Sequence, residues 1–151
     1  MSAEIRPVAA ADIPVLVPLV EQYWIFEDIE GFDAARVGRE IGTLLADPRL
    51  GSGWIARVKG QAVGYLLAVY VFSLEHLGLT AEIDEFFVVP AHRGLGLGHQ
   101  ILAIAEAQFR IEGCTNVSLQ LGRSNEAARN FYRRHGFDDR AGYELVSKSL
   151  K

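Results

Sequence analysis

Three glycines at alternate positions, in Arg93-Gly94-Leu95-Gly96-Leu97-Gly98, mark the stretch of this chain best suited to chemistry. They follow an apolar run ending Phe86-Phe87-Val88-Val89-Pro90 and precede a helical pattern that begins at Leu97. A strand, a glycine-rich bend and a helix start form an anion cradle. The first N–H groups of a helix have no intrahelical acceptor, and glycine lets a phosphate come close to them. A phosphorylated cofactor is therefore expected. The dinucleotide fingerprint G-x-G-x-x-G/A, read from Gly94 and Gly96, would need Gly or Ala where the chain has His99. About 20 residues further on, where that fingerprint expects a ribose-binding acid, the chain reads Asn116-Val117-Ser118-Leu119-Gln120. The Walker pattern G-x-x-x-x-G-K-[ST] is also absent.

What remains is R-x-x-G-x-G, read as Arg93, Gly96 and Gly98. It resembles the pyrophosphate loop of the GNAT superfamily of N-acetyltransferases. Downstream, Asn125-Glu126-Ala127-Ala128-Arg129-Asn130-Phe131-Tyr132-Arg133-Arg134-His135-Gly136-Phe137 resembles that superfamily's second motif, a short helix carrying an Asn and a Tyr at this separation. The two motifs come in the right order, and the resemblance covers nearly the whole chain. It implies acetyl-CoA as cofactor, with coenzyme A entering a gap where the central strand and the next one splay apart. Pantetheine amides would then pair with the backbone of Phe86, Phe87 and Val88. Arg93, Gly94, Leu95, Gly96, Leu97, Gly98 and His99 would wrap the pyrophosphate, and Asn125 and Ala128 would touch the cofactor from the second motif. Asn125 is equally suited to capping its helix. A sheet gap offers unpaired N–H and C=O groups that an amide-bearing ligand can satisfy, which agrees with this expectation on physical grounds.

Tyr132 is the candidate general acid. It lies nearly two helical turns beyond Asn125, so both side chains can face one cleft. A phenol with a pKa of about 10 stays protonated at neutral pH and can donate to a departing thiolate. Acetyl transfer also requires a neutral amine, and Asp84 and Glu85 are the candidate bases. Regular strand alternation would put Asp84 on one face with Phe86 and Val88, and Glu85 on the other with Ile83 and Phe87. The segment Ile83-Asp84-Glu85-Phe86-Phe87-Val88 resembles the diamine (spermidine/spermine) acetyltransferase branch, which implies an acid at Asp84 acting through water. An ordinary Asp has a pKa near 4, so either base needs an upward shift by burial or a relaying water.

Acceptor recognition is expected in Glu21-Gln22-Tyr23-Trp24-Ile25-Phe26-Glu27-Asp28-Ile29-Glu30, between the first two helices, where similar enzymes wall the acceptor cleft. Carboxylates interleaved with aromatic rings suit a cation, and Glu27 and Asp28 are the candidate contacts. A solvated acidic helix face is the competing explanation. Arg129, Arg133 and Arg134 are open to the same choice, between cofactor phosphate and a solvated face. The resulting expectation is an N-acetyltransferase moving an acetyl group from acetyl-CoA to a primary amine, a small cationic one, by direct transfer in a ternary complex. Acetylation of a protein lysine or N-terminus, and a catalytically silent acyl-CoA-binding module, are the alternatives.

The elements that must position these groups follow from periodicity and breakers. Strands are expected at 3–8, 53–59, 62–72, 81–89, 116–121 and 143–149, with a hairpin across Gly60-Gln61. Helices are expected at 12–24, at 34–46 behind an Asp33 N-cap, at 97–112, and in the second motif. The order β-α-α-β-β-β-α-β-α-β argues for a single-domain α/β fold, a mixed, mostly antiparallel sheet flanked by helices, and the resemblance implies that residues 1–151 form one N-acetyltransferase domain. Half of the chain is apolar, enough for a sizeable core, and the net charge of −4 argues against nucleic-acid binding. No stretch reaches the roughly 18 apolar residues of a membrane span, and the start shows no secretory pattern, so a cytoplasmic location is expected. Cys114 is the only cysteine, and the four histidines lack partnering ligands, so neither an intrachain disulfide nor a metal is implied. An exposed strand edge offers a surface for a homodimer.

Overall fold

The computed structural model describes residues 2–151. The chain divides into a first unit ending at Gln120 and a second covering Leu121–Lys151. In the first unit the strands β1 (Glu4–Pro7), β2 (Gly51–Val58), β3 (Gln61–Ser73), β4 (Gly78–Val88) and β5 (Val117–Leu119) form one sheet in sequence order. The first three pairings are antiparallel, and β4 with β5 is parallel. Helices α1 (Ile13–Phe26) and α2 (Ala34–Ala46) lie between β1 and β2, and α3 (Leu97–Ile111) joins β4 to β5.

Local chemistry explains most of these boundaries. Lys59 and Gly60 both have positive φ, 50° and 79°, as a two-residue turn between twisted antiparallel strands demands. The β2–β3 turn is therefore one residue earlier than expected. Asp33 is extended and its carboxylate accepts from the Arg36 amide at 3.1 Å, capping α2 as expected. At the start of α1, Asp12 accepts from the Ala9 amide at 2.8 Å and from Arg57 at 2.7 Å, tying the helix entry to β2.

The two faces of the sheet carry separate apolar layers. On one face Leu16, Leu19 and Val20 of α1 and Ile41 of α2 cover Ile55, Tyr65, Leu67 and Phe87. On the other face α3 buries Leu97, Ile101, Leu102, Ala105 and Phe109, and the Phe109 ring meets Trp54 edge-on at 5.7 Å. Burying one such Leu or Phe side chain stabilises the fold by about 1.5–3 kcal/mol, so both layers hold the strands firmly.

The second unit contains α4 (Glu126–Arg134), followed by irregular chain to Lys151. The strand expected at 143–149 is not formed. Tyr143, Leu145 and Val146 are exposed, and no ladder pairs with them among the described residues. An alternating pattern predisposes a segment to strand, but a partner must satisfy its backbone before a strand exists. No helix among the described residues is long and apolar enough to cross a membrane.

Candidate active site

After β4 the chain makes a short 3-10 turn, Pro90–His92, and then the glycine bend. Gly94 and Gly96 have φ of 75° and 84°, and a Cβ built on either would meet nothing within 4 Å. The bend is thus open on the side where a ligand would approach. Gly96 stands at the N-cap of α3 with no side chain capping the helix, and the first intrahelical bond runs from Gln100 N–H to Gly96 C=O. The Leu97 and Gly98 amides therefore have no intrahelical acceptor, and the helix dipole adds partial positive charge there. This donor set fits a pyrophosphate. Leu95 is exposed on the bend.

Arg93 anchors the start of the bend. Its Nε donates to the Val88 carbonyl at 2.7 Å, and its guanidinium lies 4.9 Å from the Phe26 ring centroid and 5.2 Å from that of Phe87. It therefore ties the bend to both the end of β4 and the end of α1.

β5 covers β4 only from Ala81 to Ile83, so the parallel ladder ends before Asp84. The amide of Val89 donates to Val63 on β3. Antiparallel strands alternate their hydrogen-bonding direction, so Phe87 also turns its backbone toward β3 while Phe86 and Val88 turn theirs away. Of the three residues expected to offer a backbone edge, Phe87 does not do so, and its side chain is a core residue instead.

The carboxylates depart from regular alternation. Leu67 pairs with Glu85 and the next residue, Ala68, pairs with Ile83, which leaves Asp84 as a bulge. Ile83 consequently lies on the face opposite Glu85, not beside it as uninterrupted alternation predicts. Glu85 points to the α1 side. Its Oε2 accepts from Trp24 Nε1 at 2.7 Å, and its Oε1 accepts from the Tyr65 hydroxyl at 2.9 Å. Burial pushes the Glu85 carboxyl above the ordinary range, the two donors pull it back, and the charge of Asp84 raises it again. Asp84 reaches the surface, yet partial desolvation and then Glu82 raise its carboxyl as well. The Tyr65 phenol, fully buried beside Glu85, stays protonated because desolvation and then the neighbouring carboxylate both oppose its ionisation.

Trp24 belongs to the acidic-aromatic stretch expected to wall an acceptor. Its ring meets Phe32 edge-on at 5.6 Å, and its carbonyl accepts from the Ile29 amide at 2.8 Å, folding the chain back after α1. Glu27 caps that helix and Asp28 adopts φ 55°, outside the usual region for its residue type. Carboxylates at a helix C-terminus oppose the dipole, and no basic residue occupies the last turn. Sequence reasoning did not connect Trp24 or Tyr65 with Glu85. The signal available was that a buried indole N–H or phenol O–H needs an acceptor.

In the second unit, Asn125 acts as the helix cap, its side-chain carbonyl accepting from the Ala128 amide at 3.1 Å. Tyr132 is half-buried between Phe131 and Phe137, with ring centroids 5.3 and 5.4 Å away. Arg129 and Arg133 both pair with Asp139, at 3.0 and 3.3 Å.

An open anion cradle behind a strand that has shed its neighbour, with a held carboxylate on the same strand, is the apparatus of a coenzyme A-dependent acyltransferase. A model of the Acetyltransferase (GNAT) family matches residues 17–137, and the chain belongs to that family, N-acetyltransferases whose cofactor is acetyl-CoA. Among curated relatives, the uncharacterized N-acetyltransferase YhfO of Bacillus subtilis is 26% identical over 146 residues, covering 92% of each chain. The aminoalkylphosphonate N-acetyltransferase of Salmonella typhimurium is 34% identical over 83 residues, 55% of this chain and 54% of that one. Among solved structures, an integron cassette protein from the mobile metagenome of Cole Harbour Salt Marsh superposes with a TM-score of 0.85 at 28% identity, over 97% of this chain and 90% of that one.

Proposed function

We propose that this enzyme acetylates the primary amine of a small cationic molecule, with Glu85 as general base and Tyr132 as general acid. One observation carries the choice of Glu85: the hydrogen bond from Trp24 joins the carboxylate directly to the acidic-aromatic stretch that suits a cation. Acetyl-CoA, when bound, supplies an acetyl group activated as a thioester. The raised carboxyl of Glu85 is better matched to an ammonium proton at working pH than an ordinary carboxylate. It can take that proton at either oxygen, since a carboxylate offers about four lone-pair sites and two donors occupy only two. Asp84, beside it on the bulge, is the alternative base and would act through water. Tyr132 Oη donates its proton to the leaving sulfur. The resemblance of Ile83 to Val88 to diamine acetyltransferases, and the carboxylates of Glu27 and Asp28, support a cationic acceptor. The family match runs through both units, which supports residues 1–151 working as one acetyltransferase domain.

A second reading has support in the Salmonella relative, whose name gives an amine flanked by a phosphonate. The test is coenzyme A release across putrescine, spermidine, lysine, an aminoglycoside, a basic peptide and an aminoalkylphosphonate. Saturable turnover with a diamine or polyamine supports the proposal. Turnover confined to the phosphonate substitutes the second reading, and turnover confined to the peptide points to a protein acceptor.

A further inference from the structure

We propose that Trp24 and Tyr65 are positioning residues that clamp the two oxygens of Glu85 from opposite elements, aiming the remaining lone pairs at the acceptor amine. This inference rests on the reading of Glu85 as base. The clamp is built from α1 on one side and β3 on the other, at 2.7 and 2.9 Å. Each donor is itself immobilised. Trp24 packs edge-on against Phe32, and Tyr65, with no exposed surface, packs against Tyr23 and Phe87, both at 6.4 Å. A Glu side chain ordinarily samples several rotamers, and two fixed donors on different oxygens leave it one orientation of the carboxylate plane. A carboxylate held this way meets the amine without reorganising at the moment of proton transfer.

The groups facing Glu85 are Asp84 on its own strand, Tyr65 on β3 and Trp24 on α1, while Tyr23 bears on Tyr65 and Glu82 bears on Asp84. Both clamp donors favour the ionised carboxylate. Removing either one therefore raises the pH at which Glu85 becomes a competent base. A merely structural role, filling the core and satisfying buried polar atoms, would lower stability without moving that pH.

The experiment compares the pH dependence of kcat/KM for Trp24→Phe, Tyr65→Phe, Glu85→Gln and a core control, Leu102→Ala, using whichever amine the panel identifies. Trp24→Phe and Tyr65→Phe keep an aromatic ring in place and remove one donor each. The clamp predicts that their acid limbs rise by about half a pH unit or more, with kcat down about tenfold. The KM for acetyl-CoA should stay unchanged and the acid limb of Leu102→Ala should coincide with the parent's. Loss of activity in Glu85→Gln, with acid limbs in both clamp variants that coincide with the parent's, overturns the clamp and leaves the base assignment standing. A Glu85→Gln enzyme with parental rate and acid limb overturns both. Should Tyr65→Phe fail to fold, Trp24→Phe decides alone.

Discussion

Replacing Gly96 by Ala separates the anion cradle from ordinary backbone needs. Gly96 has φ 84° and a methyl there would touch nothing within 4 Å, so the stability cost is backbone strain alone. An L residue in the left-handed region costs about 1–2 kcal/mol, which lowers Tm by roughly 3–6 °C for a chain of this length. Gly96 is also the N-cap beside the first amides of α3, so an added methyl is expected to crowd an oxyanion that must come within hydrogen-bond distance of them. A hydrogen bond to a charged group contributes about 1.5–3 kcal/mol, so losing one weakens acetyl-CoA binding roughly 10- to 100-fold. Gly113 is a built-in control, since it too has φ 84° with nothing within 4 Å of a Cβ, but it follows the other end of α3. Gly113→Ala should lose the same Tm and bind acetyl-CoA as the parent does. Thermal unfolding with and without acetyl-CoA, combined with calorimetric titration, reads both quantities. Parental acetyl-CoA affinity in Gly96→Ala would refute the cradle.

Three further substitutions test other parts of the argument. Tyr132→Phe should keep acetyl-CoA affinity and lower kcat by about 10²–10⁴-fold, as loss of a general acid does; parental turnover removes Tyr132 from the chemistry. Neutralising Glu27, Asp28 and Glu30 together as Gln, Asn and Gln should raise the KM of a cationic acceptor about tenfold and flatten its salt dependence. An unchanged KM would leave those carboxylates as a solvated face. Asp12→Asn should destabilise the fold by about 1–2 kcal/mol at pH 7, because one of the two acceptor oxygens serving Ala9 and Arg57 becomes a donor and the charge facing Arg57 is lost. The Ala9 amide and then Arg57 hold the Asp12 carboxyl below its ordinary 3.8. A depressed folded-state pKa adds stability above the unfolded value and loses it as pH falls through the folded one. The gap between parent and variant, followed by urea unfolding, should therefore be full at pH 7 and close in acid below 3.8.

The first nine elements could be read in the sequence because their determinants are local. Asp33 caps, Gly60 marks the β2–β3 turn to within one residue, and Leu97, Ile101, Ala105 and Phe109 share one face of α3, where each is buried. The glycine bend was legible for the same reason, since positive φ at Gly94 and Gly96 requires a residue type that the sequence displays openly. What could not be read depends on a partner distant in the chain. The bulge at Asp84 exists only in the register of β4 against β3, and nothing in Ile83-Asp84-Glu85 announces it. Trp24 lies 61 residues from Glu85 and Tyr65 lies 20 away, so the clamp follows from the packing of α1 on the sheet. The expected last strand failed for the converse reason: its alternation was visible, but strand formation requires a pairing that the local pattern cannot supply.

The end of β4 concentrates the chemistry of the first unit for a topological reason. A parallel pair joined by a helix opens a crevice beyond the carboxyl ends of its strands, and here β5 stops pairing at Ile83, leaving the rest of β4 beyond that ladder. The bulge immediately after that point breaks the alternation of the strand, so Glu85 faces α1 while Phe86 and Val88 turn their backbone away from β3. Arg93 then closes the arrangement, bonding the Val88 carbonyl while its guanidinium spans the rings of Phe87 and Phe26. One side chain thus joins the glycine bend that suits a pyrophosphate, the strand end that suits an amide-bearing ligand, and the helix end that carries the acidic stretch. The glycine bend and the helix end that carries the acidic stretch are consequently parts of one packed assembly, an arrangement that would suit the direct transfer proposed above.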